Sequence, residues 1–467
     1  MVDDYAAQGK SIARLDGKVV FIENVVPGDV VDVRLVKNKK DWAEGYPINF
    51  HSFSQERVQP FCQHFGTCGG CQWQMLPYKK QLQYKHKQVF DNLTRIGKIP
   101  LPEILPIVGA EEDKFYRNKL EYTFSNKAFY PACDFDREDK QGKFQNVVGF
   151  HAKGFFDKIV DIQKCWLQND LTNEIRNGIR EFALKHRLSF YDIRNHKGQL
   201  RTMQVRVCET GEVMINIVFG EKNELQQNLL LNFIQANFPQ VTTLLYTLNL
   251  KMNDSMHDLE PDTFFGKGYV VEKLSTGTVG EDFLFKIGPK SFFQTNTRQA
   301  ENLYRITREF AELNGTQTVY DLYCGTGSIG IFCSRGAKKI IGVDIIDGAI
   351  HDARENAALN GIDHSFFISG DVIDICNEDF FKQQGRPDVI ITDPPRAGMH
   401  EKLVKKILEI EAPILVYVSC NPATQARDLA LLDEKYEVTK VQPVDMFPHT
   451  HHIENIIQAK LKPKTNE

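Results

Sequence analysis

"TVYDLYCGTGSIGIFCSRGAKKIIGVD", residues 318–344, reads as a β-strand, a glycine-rich turn, a helix and a second strand. Gly325, Gly327 and Gly330 match the pattern G-x-G-x-x-G, and Asp344 closes the second strand. In such units the glycines let the backbone approach a nucleotide, and an acidic side chain about twenty residues further on binds ribose hydroxyls. The stretch predicts a nucleotide-binding α/β domain, but it suits a dinucleotide and S-adenosylmethionine equally well.

Residues at the ends of four strands indicate which of these two cofactors is bound. Asp321 ends the first strand, where a carboxylate would attract the ammonium group of an amino acid and repel a pyrophosphate. "FFISGDV" ends the third strand at Asp371, which is placed to accept from an adenine amino group. "PDVIITDPPR" ends the fourth at Asp393, and "ILVYVSCNP" ends the fifth at Cys420. Ligands of open α/β sheets bind beyond the carboxyl ends of the strands, so an S-adenosylmethionine-dependent methyltransferase fits better than a dehydrogenase.

The thiol of Cys420 indicates a particular methylation. Arg396 follows the Asp-Pro-Pro stretch, where amino-group methyltransferases usually have an aromatic residue. A single cysteine suits C5 of a pyrimidine, because a thiolate added to C6 makes C5 nucleophilic. The adduct must then lose its C5 proton to a general base, and Glu454 in "FPHTHHIENIIQAKL" is the leading candidate. The alternative for Cys420 is a buried thiol that packs in its strand.

Clustered cysteines predict a metal site in the first half of the chain. "CQHFGTCGGC" contains Cys62, Cys68 and Cys71, and Cys165 in "QKCWLQ" is the best candidate for a fourth ligand. His64 is a weaker substitute for one cysteine. Zinc and an iron–sulfur cluster both accept four thiolates, and the spacing does not choose between them.

The chain divides into three predicted domains. Residues 1–55 read as short strands and turns that suit an oligonucleotide-binding type of β-barrel. Residues 56–290 form a mixed α+β central domain with a charged insert at 134–146, to which the sequence assigns no role. Residues 291–467 alternate strands and helices, as in a parallel sheet with helices on both faces. The catalytic site is expected in this third domain.

The composition of the 467 residues is that of an ordinary globular protein. The start "MVDDYAAQGK" lacks the features of a secretion signal, and no apolar run reaches the roughly 20 residues that cross a membrane. We therefore expect a cytoplasmic protein with reduced cysteines and no membrane partner. The net charge of −4 argues against a generally basic nucleic-acid coat. The basic segment 77–98 suits either a phosphate backbone or a solvated helix face.

Together these motifs resemble the bacterial 23S rRNA (uracil-5-)-methyltransferases, which have a TRAM barrel, an iron–sulfur central domain and a class I methyltransferase domain. The likeness covers nearly the whole chain and rests on "CQHFGTCGGC" with the later cysteine, "SFFQTN", "DLYCGTGSIG", "DPPR", "SCNP" and "HTHHIE". The TRAM-like positions are Gly9, Gly17, Phe21, Pro27, Gly28 and Asp29. By the same resemblance, helix 77–98 packs near the catalytic domain. The strand that carries Arg117, Asn118 and Lys119 is either a candidate RNA contact or an ordinary basic sheet edge.

The resemblance also implies a role for each site residue. Cys420 corresponds to the nucleophile and Glu454 to the general base. The implied ligands of a [4Fe-4S] cluster are Cys62, Cys68, Cys71 and Cys165. The implied S-adenosylmethionine contacts are Gln294, Tyr323, Ser328, Asp344, Asp371 and Asp393.

The function that follows from the resemblance is methylation of C5 of a specific uridine in 23S rRNA. S-adenosylmethionine is the methyl donor, and the reaction passes through a covalent adduct between Cys420 and C6 of uracil. We expect a monomer that binds RNA. Two alternatives are a methyltransferase for the T-loop uridine of tRNA and a non-catalytic iron–sulfur protein that binds RNA.

Overall fold

Short strands and tight turns build the first sheet. The computed structural model describes residues 1–6, 9–130 and 146–463. The first five strands are β1 (Asp4–Tyr5), β2 (Ser11–Leu15), β3 (Lys18–Ile22), β4 (Val30–Asn38) and β5 (Trp42–Ser52). They form one sheet in the order β1-β2-β3-β5-β4. Asp16 and Gly17 join β2 to β3 with φ values of 49° and 79°, as a two-residue hairpin turn requires.

A helix and a second sheet follow. The helix α1 (Tyr78–Asn92) continues into a π-helical turn at Leu93–Gly97. The next elements are β6 (Lys119–Ser125), β7 (Val147–His151), β8 (Ile159–Asp161), α2 (Asp170–Lys185), β9 (Leu200–Val207), β10 (Val213–Phe219), α3 (Glu224–Asn237), β11 (Thr243–Leu248) and β12 (Asp262–Phe265). The sheet order is β12-β11-β10-β9-β6-β7-β8. A separate hairpin follows, formed by β13 (Val270–Leu274) and β14 (Phe283–Ile287). Except for Asn146, the charged insert at 134–146 lies outside the described residues.

The C-terminal sheet has the doubly wound arrangement expected for the catalytic part. Its elements are α4 (Thr297–Phe310), β15 (Thr318–Leu322), α5 (Ser328–Cys333), β16 (Lys339–Asp344), α6 (Asp347–Leu359), β17 (Ser365–Ser369), α7 (Val372–Ile375), α8 (Glu378–Gln384), β18 (Val389–Thr392), α9 (Glu401–Ile410), β19 (Ile414–Ser419), α10 (Pro422–Leu432), β20 (Tyr436–Val444) and β21 (Glu454–Leu461). The strand order is β17-β16-β15-β18-β19-β21-β20, and β21 runs antiparallel to both of its neighbours. The strand order reverses between β15 and β18, and ligands of such sheets bind in the crevice at that point.

Alternate residues of the buried strands enter two different cores. Val319 and Ile340 pack in the core that contains Phe332. Tyr320 and Ile341 point to the opposite face and join a second core. Both faces of the sheet are therefore covered, which explains the nearly continuous apolar runs of these strands.

Helix α1 lies against the catalytic half of the molecule. A Cβ at Gly97 would lie 3.4 Å from the carbonyl oxygen of Ala426, so the turn that follows α1 packs against α10. Lys85 is wholly buried, and its Nζ donates to Asp445 Oδ1 at 2.6 Å. The hydroxyl of Tyr78 donates to the other oxygen of Asp445 at 2.9 Å. Lys85 is therefore unavailable to an RNA phosphate.

Other basic side chains of this segment also have acidic partners. Lys80 pairs with Glu56, Lys87 with Asp4 and Asp91, and Arg95 with Asp91. Much of the positive charge of this segment is therefore paired with acidic side chains of the same protein. No helix in residues 1–6, 9–130 or 146–463 has the length and apolarity of a membrane span.

We expect Lys85→Ala to destabilise the protein by about 3–5 kcal/mol, because it leaves the carboxylate of Asp445 buried without its cation. Urea unfolding followed by intrinsic fluorescence measures the loss. The exposed Lys338, which forms no ion pair in the described part of the chain, provides the matched control Lys338→Ala, with an expected change within about 0.5 kcal/mol. Equal midpoints for the two variants would show that the buried pair contributes nothing.

Candidate active site

The glycine turn after β15 brings backbone and helix close together. Gly325 and Gly327 have φ values of 55° and 77°, a region that disfavours residues with a Cβ. A Cβ at Gly330 would lie 2.9 Å from Asp321 Oδ2 and 3.0 Å from Ile340 Cγ2. Gly325 and Gly327 are therefore required by the backbone conformation of the turn, and Gly330 by the packing of α5 on the sheet.

Two carboxylates frame this turn. The N–H groups of Gly325 and Ile346 donate to the two oxygens of Asp344, each at 2.9 Å, which fixes the carboxylate while leaving each oxygen a free lone pair. Asp321 accepts from the N–H of Gly330 at 2.9 Å through Oδ2, while Oδ1 is buried without a partner. Burial raises the pKa of Asp321 to about 7. An orphan carboxylate oxygen here fits the ammonium group of S-adenosylmethionine.

Three more predicted contact positions lie close to this turn. Tyr323 follows β15 with φ 62°, an uncommon value for a residue with a side chain. Burial raises the pKa of its hydroxyl, and the charges of nearby acidic groups, Asp371 first among them, raise it further. Asp371 also caps α7, because its Oδ1 accepts from the N–H of Ile373 at 2.8 Å. Ser328 begins α5, and its Oγ is 2.9 Å from the hydroxyl of Tyr304.

Gln294 lies in the segment before α4, which meets the glycine turn where Thr326 Oγ1 donates to the carbonyl oxygen of Phe292 at 3.5 Å. The side chain of Gln294 is largely buried. Its main-chain carbonyl oxygen accepts from Asn118 Nδ2 at 3.0 Å. Asn118 also donates to Thr297 Oγ1 at 2.9 Å. Asn118, considered from the sequence as an RNA contact, therefore holds the loop that carries Gln294.

A thiol and two carboxyl groups meet at the carboxyl edge of the sheet. Cys420 follows β19 and Asp393 follows β18, and both strands end at this edge. Glu454 begins β21, and because this strand is antiparallel, its first residue lies beside the end of β19, where Ser419 pairs with Asn455. The structure thus brings Glu454 to the crevice that Cys420 and Asp393 were predicted to share.

Burial dominates the electrostatics of these groups. It raises the pKa of Cys420 to about 12, with Glu454 and Asp393 adding to the increase and Arg396 opposing it. Burial and Asp393 hold the pKa of Glu454 well above its usual range, and burial raises the pKa of Asp393 to about 7. Without a bound cation, the site therefore favours the protonated thiol and a protonated glutamate.

A hydrogen-bonded turn holds Cys420 at the strand end. The side chain of Asn421 caps α10 by accepting from the N–H of Ala423 at 3.2 Å. Its Nδ2 donates to the carbonyl oxygen of Arg396 at 3.0 Å, and Thr424 Oγ1 donates to the same oxygen at 3.4 Å. The loops after β18 and β19 are therefore tied together beside the thiol.

Comparison with known proteins places the chain in a family. Residues 260–460 match the family model described as tRNA (Uracil-5-)-methyltransferase. A protein of Bacteroides thetaiotaomicron named as an uncharacterized RNA methyltransferase is 51% identical over 98% of this chain and 100% of its own. One of the same name in Porphyromonas gingivalis is 47% identical over 98% of each chain. The chain belongs to the RNA (uracil-5-)-methyltransferases. This confirms the prediction of an RNA (uracil-5-)-methyltransferase, whereas 23S rRNA as its substrate stays a prediction.

A solved structure agrees with the family and the fold. The crystal structure of Pyrococcus abyssi tRNA (uracil-54, C5)-methyltransferase in complex with S-adenosyl-L-homocysteine is 28% identical, with a TM-score of 0.75, and the match covers 98% of this chain and 99% of that one. The RNA (uracil-5-)-methyltransferase described here is thus a multidomain protein with a class I methyltransferase fold. It uses S-adenosylmethionine and acts on RNA.

In this RNA (uracil-5-)-methyltransferase the loop before Glu454 is fixed by distant parts of the chain. His449 has φ 65°, and its N–H donates to Gln81 Oε1 at 2.8 Å. Its carbonyl oxygen accepts from the N–H groups of Gln72 and Trp73 at 2.9 and 3.0 Å. Gln81 belongs to no motif that could have pointed to this contact, although it joins α1 to the loop that leads to Glu454.

The histidines of this loop are suited to neutral roles. Burial lowers the pKa of His451 and of His452 to about 4 in each case. A Cβ at Gly9 would lie 3.0 Å from the Cβ of His451, so the N-terminal sheet reaches the same loop. The N-terminal sheet and the catalytic half therefore meet beside the active site.

The four cysteines considered as metal ligands lie near one another. All four are free thiols, and burial raises the pKa of each. For Cys71 the charges of Cys165, Cys68 and Cys62 raise the pKa further, which places them within electrostatic reach of one another. Across the described residues, no three His, Cys, Asp or Glu side chains stand where they could hold a metal ion. Four thiols are suitable ligands for a metal centre that binds four thiolates. Their sulfur atoms are not arranged to hold a single metal ion among those residues.

Proposed function

We propose that the protein methylates C5 of a uridine in folded 23S rRNA through a covalent adduct between Cys420 and C6 of uracil. The observation that carries the proposal is the meeting of the Cys420 thiol with the carboxyl groups of Glu454 and Asp393 at the edge of the sheet that also carries Asp321 and Asp344. A nucleophile, a base and a cofactor crevice are then close together. The target uridine must leave its stack to reach them.

The first step uses the sulfur of Cys420. Its thiolate forms a bond to C6, and the π electrons of the C5–C6 double bond move toward C5 and the O4 carbonyl. S-adenosylmethionine supplies an electrophilic methyl group on a sulfonium cation. C5 then forms a bond to that methyl carbon as the carbon–sulfonium bond breaks and S-adenosylhomocysteine leaves.

The second step restores the ring. The carboxylate of Glu454 takes the C5 proton, and the electron pair of that C–H bond re-forms the C5–C6 double bond. The C6–sulfur bond breaks, and Cys420 leaves as a thiolate. The raised pKa of Glu454 makes its ionised form a stronger base for this weakly acidic proton.

The charges of the pocket indicate a second contribution of the cofactor, which is its positive charge. Cys420, Glu454 and Asp393 have raised pKa values because they are buried together, with Arg396 as the cation that opposes the increase for the first two. A positive charge placed among them lowers the cost of ionising each group. Thiolate formation is therefore expected to follow cofactor binding.

Tritium release tests the proposal. Transcripts of 23S rRNA containing [5-³H]uridine should release tritium when protein and S-adenosylmethionine are both present, because the C5 hydrogen is replaced. No release from rRNA or tRNA would mean a non-catalytic RNA-binding protein and would reject the proposal. The Pyrococcus abyssi enzyme is named for uridine 54 of tRNA, which makes tRNA the second candidate. Release from tRNA transcripts alone would assign the activity to tRNA.

We also propose that Cys62, Cys68, Cys71 and Cys165 bind a [4Fe-4S] cluster. The support is the donor set, since these four thiols lie within electrostatic reach of one another, and the four iron atoms of such a cluster take four thiolates as ligands. In a cluster each sulfur binds a different iron, so the sulfurs need not converge on one point as zinc ligands do.

Anaerobically purified protein is expected to contain about four iron and four sulfide per chain, measured by colorimetric analysis. Cys165→Ser should lose most of both, because a hydroxyl is a poor ligand for iron in such a cluster. Cys208→Ser is the matched control, since Cys208 is another buried thiol of the central part that has no place in the proposed ligand set. Zinc in place of iron, or equal iron in both variants, would contradict the assignment.

A further inference from the structure

A cavity of about 380 Å³ opens between the central sheet and the segment that carries Gln294. Arg117, Lys119 and Arg206 line it, together with Glu121 and Phe292. Three cationic side chains thus share the wall with one acidic side chain. Nothing in the reaction described above uses this cavity.

Two of the cations oppose each other across neighbouring strands. Lys119 in β6 and Arg206 in β9 are directly paired in the antiparallel register. Like charges in such a position repel each other and destabilise a sheet. None of the three cations of the cavity forms an ion pair within residues 1–6, 9–130 and 146–463. Glu121 acts on the charge of Lys119, and the buried Glu272 acts on that of Arg206, but neither forms an ion pair with these cations, so the positive charge of the cavity is only partly offset.

The contacts of these side chains are with neutral acceptors. Arg117 Nε donates to the carbonyl oxygen of Lys119 at 2.9 Å, and Arg206 Nη1 donates to Asn118 Oδ1 at 3.3 Å. With its amide oriented to suit its neighbours, Gln204 accepts from Lys119 Nζ at 3.0 Å. Arg206 is only 1% exposed, and its Nε has no partner. A buried, unpartnered guanidinium N–H is costly and indicates a missing acceptor.

The cavity adjoins the active site on two sides. Thr295, which lines it, follows Gln294 directly and accepts from the N–H of Asn118 at 2.8 Å. The guanidinium of Arg117 lies 5.8 Å from the ring centre of Phe447, at the start of the loop that leads to Glu454. Phe292 is 72% exposed, and an exposed ring beside cations is typical of surfaces that bind single-stranded nucleic acid.

We propose that this cavity binds a backbone phosphate of the RNA next to the target uridine, with Arg117, Lys119 and Arg206 as its donors. The inference rests on the proposed function, because it places the substrate's neighbouring nucleotide. Guanidinium and ammonium groups form strong, charge-assisted hydrogen bonds to phosphate oxygens. Anchoring the backbone here holds the strand while the uridine turns into the crevice. The carboxylate of S-adenosylmethionine has similar chemistry and is the competing occupant.

The salt dependence of RNA binding tests the proposal without turnover. Binding of an unmodified 23S rRNA transcript is measured over a series of salt concentrations with S-adenosylhomocysteine present. Lys119→Gln should weaken binding about tenfold at low salt and reduce the slope of log K against log salt by about 0.7–0.9, the value for one phosphate contact. Arg117→Gln should do the same. Binding of S-adenosylhomocysteine, measured by calorimetry, should not change in either variant.

Two matched variants complete the design. Lys338→Gln removes one exposed lysine just before β16, at the amino-terminal edge of the sheet and opposite the crevice, and should keep the wild-type slope. Lys119→Arg keeps the charge and should keep the slope as well, which separates loss of charge from loss of folding. If Lys119→Gln has the slope of Lys338→Gln, or loses affinity for S-adenosylhomocysteine instead, the phosphate site is rejected. Tritium release is measured separately, so failure of methylation and failure of this site remain distinguishable.

Discussion

Replacing Cys420 by alanine is expected to reduce 5-methyluridine formation at least about 10⁴-fold, to the level of the reaction without enzyme. The reason is electronic, because C5 of uracil does not attack a methyl group until a nucleophile has been added to C6. Alanine leaves the strand end and the cofactor crevice in place while removing the one partly exposed thiol that the described residues place at this edge. Mass spectrometry of RNA nucleosides after reaction measures the product directly.

RNA containing 5-fluorouridine gives the second readout for this variant. Fluorine cannot leave C5 as a proton does, so the wild-type protein should form a stable complex on a denaturing gel, and Cys420→Ala should form none. Cys333→Ala is the matched control, because Cys333 is a buried thiol at the end of α5, away from the carboxyl edge. Undiminished methylation by Cys420→Ala would mean that Cys420 is not the nucleophile and only packs in its strand.

The pH dependence of adduct formation should follow the thiol. Burial, Glu454 and Asp393 raise the pKa of Cys420 to about 12, so the thiol is protonated at neutral pH. The fraction of thiolate increases as pH rises toward that value, and the rate of complex formation with 5-fluorouridine RNA should increase with it. A rate that falls as pH rises from 6 to 9 would contradict thiolate attack.

The local chemistry of the cofactor crevice could be predicted from the sequence. The glycine turn, Asp321 and Asp344 occupy one stretch of chain, and strand ends are recognisable from apolar runs that stop at a polar residue. The doubly wound topology then determines which ends meet. For this reason Cys420 and Asp393 could be assigned to one crevice before any distance was known.

Contacts between distant segments could not be predicted in this way. Lys85 and Asp445 are 360 positions apart, and Gln81 and His449 are 368 positions apart. No periodicity or motif links such pairs, and a basic helix looks the same whether its lysines face solvent, RNA or a buried carboxylate. Asn118 illustrates the same limit, since its place in a basic strand suggested an RNA contact, whereas its amide holds the main chain of Gln294.

Glu454→Gln is expected to separate methyl transfer from product release. Glutamine has nearly the shape of glutamate but cannot take the C5 proton, so the methylated ring should remain attached to Cys420. The first step should not slow, because the substitution removes a group that raises the pKa of the thiol. We therefore expect one equivalent of S-adenosylhomocysteine per protein in a single rapid turnover, followed by a steady state slower by about 10³-fold or more.

The trapped species provides the decisive measurement for Glu454. With ordinary uridine RNA, Glu454→Gln should give a protein–RNA band on a denaturing gel together with S-adenosylhomocysteine, while tritium stays on C5 because that proton has not left. Glu401→Gln is the matched control, since Glu401 is an exposed glutamate paired with Lys405 at the start of α9, and it should turn over normally without a band. A loss of S-adenosylhomocysteine formation in the first turnover would mean that Glu454 is needed before the proton is removed. Normal tritium release by Glu454→Gln would assign proton removal to another group. Asp393 would then be the next candidate, because it is the other buried carboxyl group that acts on the thiol.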